Sequence, residues 1–104
     1  MTVAETLRRA KALIDAPEKW TKGEFARNAK GRPCLPREAA CFCTVGALVV
    51  ACGPGQTSAF EKLRAHFTRL VGGSIGTWND APERTHAEVM AAFDRAIEIA
   101  EGNQ

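Results

Sequence analysis

The stretch Ala39-Ala40-Cys41-Phe42-Cys43-Thr44-Val45-Gly46-Ala47-Leu48-Val49-Val50-Ala51-Cys52 contains no charged residue. A segment that is apolar on nearly every side belongs inside a protein. Pro36, just upstream, suits a first helical turn, and Gly53-Pro54-Gly55 stops the run. The expectation is a helix from about Pro36 to Cys52 at the centre of the fold. Gly46 in its interior costs about 1 kcal/mol relative to Ala, so its presence points to another backbone crossing closely there.

Outward from this segment, three Ser or Thr residues are each followed three positions later by Glu: Thr2 with Glu5, Ser58 with Glu61, and Thr85 with Glu88. Each is a capping-box pattern, in which the hydroxyl accepts from an orphan amide and the carboxylate reaches back. Helical stripes follow all three: Val3, Leu7, Ala10 and Ile14; then Phe60, Leu63, Phe67 and Leu70; then Val89, Phe93, Ala96, Ile97 and Ala100. Pro17, Gly72-Gly73 and Gly102 close them. From Phe25 to Cys34 the periodicity is lost around Gly31, which reads as a small β-hairpin or extended flap limited to an edge by Pro33. The stretch from Gly72 to Arg84, with Trp78-Asn79-Asp80-Ala81-Pro82, reads as irregular and turn-rich. The fold class is therefore mostly α: a compact bundle of about four helices around a buried central helix, with a small hairpin or flap.

The 104 residues suit one globular domain spanning 1–104, and 45% hydrophobic with 25% charged residues excludes a disordered chain. The formal charge of +2 is too small to call for a nucleic-acid or membrane partner. The charges are unevenly placed. Nine basic residues face four acidic ones up to Arg37, and five face eight from Glu38 onward, so the two halves suit mutual attraction or an acidic partner. The first residues carry no signal-peptide pattern and no apolar run reaches membrane-spanning length, so cytoplasm is expected, with reduced cysteines.

Cys43-Thr44-Val45-Gly46-Ala47-Leu48, Trp78-Asn79-Asp80, Arg84-Thr85, Glu88-Val89 and Asp94-Arg95-Ala96-Ile97, with the earlier Trp20-Thr21-Lys22-Gly23-Glu24-Phe25-Ala26-Arg27, form a recurring set. On these motifs the chain resembles a family of short bacterial and phage proteins known as a domain of unknown function. The resemblance covers most of the chain and implies no activity. Members usually carry a large residue before the cysteine, here Phe42, whereas Cys41 and Cys52 lie outside the pattern.

Four cysteines and two histidines raise the question of zinc, with Cys34, Cys41, Cys43, Cys52 and His66 as candidate ligands. On a continuous helix Cys41 and Cys43 diverge by about 200°, and Cys52 lies about 16 Å from Cys41, so no metal site and no cofactor is expected. A cysteine nucleophile would be Cys43, with His66 or His86 as base and Asn79 or Asp80 to orient it. With a helix starting at Pro36, Cys43 falls two turns inside, away from the terminal amides that stabilise a thiolate. No catalytic set is therefore assigned, and Cys43 stands as the reactive-thiol candidate.

Candidate binding residues are Trp78, Asn79, Asp80, Arg84, Trp20 and Arg27. In a structural role, Asn79 or Asp80 would close an Asx-type turn, Trp78 would plug the core with its indole bonded to a carbonyl, and Arg84 would pair with Asp80 or Glu88. Lys19 to Arg37, with Trp20 and Phe25 interleaved, is the nearest thing to a nucleic-acid footprint, though Glu18 and Glu24 dilute it. Gly72-Gly73-Ser74-Ile75-Gly76-Thr77 lacks the Lys of a phosphate-binding loop. The expected function is that of a small non-enzymatic accessory protein binding another macromolecule, most simply a protein, with self-association compatible. The rivals are a cysteine-dependent enzyme or thiol switch centred on Cys43, and a weak nucleic-acid binder acting through the basic hairpin.

Overall fold

Both terminal capping boxes form. In the computed structural model, which describes residues 2–102, Thr2 and Glu5 exchange hydrogen bonds of 2.8 and 3.1 Å at the start of α1 (Val3–Leu13). Thr85 and Glu88 do the same at 2.9 and 3.2 Å at the start of the last helix, α5 (His86–Ala100). The Ser58 box does not form. Helix α3 (Thr57–Val71) starts one residue before Ser58, with Gln56 as its cap and no side-chain cap bond. Ser58 is therefore already helical, and Glu61 pairs with Arg64 at 2.7 Å instead. Gly72 ends α3 in the left-handed conformation, with φ of 83°.

The central helix is shorter than the sequence predicts. Pro36–Glu38 forms one 3₁₀ turn, Cys41–Phe42 is a strand (β2), and α2 (Thr44–Cys52) begins only at Thr44. Pairing across the chain overrides the apolar continuity here. β2 runs antiparallel to β1 (Ala26–Arg27), with Ala26 opposite Phe42 and Arg27 opposite Cys41. The Ala40 amide donates to the Arg27 carbonyl at 2.8 Å, and the Cys43 amide to the Phe25 carbonyl at 3.1 Å. On its other side β1 continues into a hairpin. The Asn28 amide donates to the Arg32 carbonyl, the Cys34 amide to the Ala26 carbonyl, and Arg27 bridges Pro33.

The stretch from Gly72 to Arg84, read as irregular, contains a further helix, α4 (Ile75–Asp80), capped by the Ser74 hydroxyl, which accepts from the Thr77 amide at 3.3 Å. Five α-helices thus stand where about four were expected among the described residues. The mostly helical class with a small hairpin holds.

α1 packs chiefly on α2 and α5, and the short axis of 21 Å is about two helix diameters. Leu7, Ile14, Leu48, Leu63, Phe67 and Phe93 are wholly buried in one cluster, with the Phe67 and Phe93 rings edge-on at 5.0 Å. Gly46 serves the close approach its position predicts. A Cβ placed on it would lie 2.2 Å from the Phe25 carbonyl oxygen. The charge asymmetry is partly resolved within the chain, because Arg8 pairs with Glu101 and Lys11 with Asp94, tying α1 to α5. Among the described residues no helix is long and apolar enough to cross a membrane.

Candidate functional site

α4 is one and a half turns long, and it carries Asn79 into the interior beside the start of α2. The Asn79 side chain is fully buried. Its Oδ1 accepts from the Trp20 indole at 2.7 Å, the Thr44 hydroxyl at 2.6 Å and the Thr44 amide at 3.0 Å. Its Nδ2 donates to the Thr21 carbonyl at 3.1 Å and to Asp80 Oδ1 at 2.9 Å. Asp80 Oδ1 also accepts from the Gly23 amide at 2.9 Å. One short helix thus fastens the 20–23 segment to the N-terminus of α2, using one orphan amide of α2 in the process. Neither Asn79 nor Asp80 closes an Asx turn ahead of Pro82. Their bonds run to distant segments, and this is why the backbone is free to be helical.

The other candidate residues are fastened as well. Arg27 donates from Nε to the Thr21 hydroxyl, from Nη1 to the Gly31 carbonyl and from Nη2 to the Lys22 carbonyl, all within 3.1 Å, which clamps the hairpin. Lys22 donates to the carbonyls of Ala81 and Pro82 at 2.7 and 3.2 Å. On the other side of α4, Arg84 donates to the Trp78 carbonyl at 2.9 Å and stacks over the Trp78 ring at 4.4 Å, with Glu88 at 3.5 Å. Trp78 sets its ring edge against Phe67. Its indole has no hydrogen-bond partner among the described residues, so the plug is made by packing and not by a bond to a carbonyl. Trp20, Asn79 and Asp80 come together; Trp78 with Arg84 forms a second group; Arg27 forms a third. Among the described residues no buried side-chain nitrogen or oxygen lacks a partner.

The later start of α2 changes the position of Cys43. It is the N-cap, not a residue two turns inside, and its Sγ accepts from the Gly46 amide at 3.3 Å. The terminal amides that favour a thiolate are therefore present, yet the thiol is only 6% exposed. Burial pushes its pKa up, the amides of Gly46 and Val45 pull it down less, and the Asp80 carboxylate pushes it further up. Neither histidine serves it. His66 Nε2 lies 2.9 Å from the Ala96 carbonyl, and His86 Nε2 lies 2.7 Å from the carbonyl of Ile14, the C-cap of α1. A Cys-His-Asn relay is not assembled, because the Asn79 amide orients Trp20 and Thr44 instead of an imidazole.

The other cysteines are free thiols: Cys34 and Cys41 lie on the two segments that flank β1, and Cys52 stands apart from them. Cys41 points its Sγ toward the Arg27 carbonyl at 3.8 Å, and Cys52 ends α2 about 13 Å from its start. Among the described residues no three His, Cys, Asp or Glu side chains group in a way that would hold a metal ion.

One surface was missed in the sequence. Phe25 and Leu35, 49% and 51% exposed, are the large hydrophobic residues left outside. Asn28 with Arg32 and Ala26 with Cys34 set the hairpin register, and continuing it by one residue places Phe25 opposite Leu35. Phe25 lines one shallow hollow, and Pro36, next to Leu35 in the chain, lines another. One, of about 300 Å³, lies among Phe25, Cys43, Val45, Gly76 and Asp80. The other, of about 290 Å³, lies among Pro36, Val49, Val50, Gly53 and Pro54. The signal was present in Leu35 between Cys34 and Pro36, and in an α2 too uniformly apolar for its outer side.

No curated protein and no solved structure matches the chain. A family model does, over residues 1–99, and the chain belongs to that family, DUF6197, a family of unknown function.

Proposed function

We propose that the protein acts without catalysis, as an accessory module that binds another protein through the hairpin and the outer side of α2. The observation that carries this reading is the paired exposure of Phe25 and Leu35 beside the half-buried Val45, Val49 and Val50. Two large apolar side chains held in register over an apolar helix face form the kind of contiguous patch that marks an interaction surface. The polar candidates support the face from behind. Trp20, Asn79 and Asp80 dock the 20–23 segment on α2, Arg27 stiffens the hairpin, and Trp78 with Arg84 sets the entrance to α5. Free thiols fit a reducing compartment, and the cytoplasm is the compartment this reading assigns.

Site-specific photo-crosslinking in the producing cells tests it. A photoreactive residue at Leu35 should give a discrete protein adduct, and the same residue at Lys62, on exposed α3, should not. Equal adducts from both positions, or none from Leu35, would contradict the reading.

A further inference from the structure

We infer that the Leu35 side of this face takes an acidic segment of the partner, one with a large apolar side chain next to its carboxylates. The inference rests on the binding reading above and adds the partner's chemistry. The hollow among Pro36, Val49, Val50, Gly53 and Pro54 is lined by no ionisable residue. Next to it in the chain basic residues outnumber acidic ones, with Lys30, Arg32 and Arg37 against Glu38. Lys30 and Arg32 at the hairpin turn and Arg37 beside Pro36 are exposed, and none of their side chains makes a hydrogen bond or ion pair among the described residues. Elsewhere on the molecule Arg8, Lys11, Lys19, Arg64 and Arg84 are paired, while among the described residues the exposed Lys62, Arg69 and Arg95 of α3 and α5 are not.

Glu38 is the one carboxylate beside these cations in sequence, whereas Glu24 and Asp80 line the neighbouring hollow beyond Phe25. Cations outnumber carboxylates at the Leu35 end, whereas at the Phe25 end Glu24 and Asp80 stand beside Lys22 and Arg27. A bound segment would place its carboxylates toward Arg32 and Arg37. A nucleic acid fits less well. Leu35, Val49, Val50 and Pro54 offer no ring for a base to stack on, and Phe25, which does, stands beside two carboxylates.

Fluorescence anisotropy with short labelled peptides tests the inference. The probes are alternating Glu/Leu, Lys/Leu and Glu/Ser peptides and an oligothymidylate, each titrated with the intact protein and with the surface variants Leu35→Ser and Arg32→Glu/Arg37→Glu. The Glu/Leu peptide should bind, at least about tenfold more tightly than the other probes, and should lose at least about tenfold in affinity in either variant and on raising salt. Urea midpoints equal to wild type show that the variants are folded. Equal binding of the Lys/Leu peptide or the oligothymidylate would overturn the inference. So would no binding of the Glu/Leu peptide at about 1 mM, or a homodimer that Leu35→Ser dissolves. If the Leu35 crosslink persists in those cases, the face still binds a protein and only its assigned chemistry is wrong; loss of the crosslink as well removes the binding reading.

Discussion

The junction around Asn79 and the face around Leu35 are built on the same helix and are opposite in character. At the N-terminus of α2 polar side chains are buried, and among the described residues every buried side-chain nitrogen and oxygen has a partner. Along its outer side apolar residues meet water, with unpaired cations beside them. Buried polar atoms that are all bonded rigidify a fold and have little left to offer a ligand. Apolar surface left in water costs stability and gains only when something covers it. The contrast assigns structure to the first region and binding to the second.

The largest effect that tests this contrast is expected at the junction. Asn79→Ala leaves the Trp20 indole and both Thr44 donors without their acceptor, and should destabilise by about 3–5 kcal/mol in urea denaturation. A wild-type midpoint would return Asn79 to the list of ligand contacts. Gly46→Ala follows. The new Cβ meets the backbone oxygen of Phe25 and not a side chain that can swing away, so a net loss of about 1–3 kcal/mol is expected despite the better helix propensity. Because that crossing also seats the hairpin, crosslinking from Leu35 should weaken with it.

Smaller effects separate the helix ends. Thr85→Ala should cost about 1 kcal/mol, while Ser58→Ala should leave the melting temperature nearly unchanged, since only the first of the two hydroxyls caps a helix. The Glu88 carboxyl is held below its ordinary range, first by the Thr85 amide. Its stabilising contribution is therefore complete above the ordinary carboxylate range and is lost as pH falls through the lowered value. Glu88→Gln should flatten the acid side of the stability profile, and an unchanged slope would argue against the box. The smallest effect on stability belongs to the open face. Leu35→Ser should shift it by less than about 0.5 kcal/mol while costing at least about tenfold in Glu/Leu peptide affinity. A large loss of stability there would make Leu35 a core residue and close the contrast.

Much of this fold is legible in the sequence because its signals are local. Thr2 and Thr85 start helices where their glutamates say they should, Gly72 stops one, and Gly46 marks a crossing. The misses come from non-local bonds. Residues 39–43 read as helix because nothing in them shows that Arg27 and Phe25 will take the amides of Ala40 and Cys43. Trp78-Asn79-Asp80 reads as a turn because the partners that satisfy Asn79, at Trp20, Thr21 and Thr44, lie far away in the chain. The position of Cys43 inherits the first error, and it becomes a cap once β2 is recognised. The Leu35 face is hidden from sequence for a different reason, since apolar residues in a small chain read as core until the packing shows which are left over.

The two tryptophan indoles offer the most direct test in a single spectrum. Trp20 donates to buried Asn79, and the Trp78 indole has no hydrogen-bond partner among the described residues. Hydrogen exchange followed by NMR should show the Trp20 indole proton exchanging only through global unfolding, together with the Thr44 amide, and the Trp78 indole proton exchanging orders of magnitude faster. Equal rates, or a Trp20 indole that exchanges before the core amides, would mean that the Asn79 junction opens in the native protein, and would contradict its assignment as the closed, structural region.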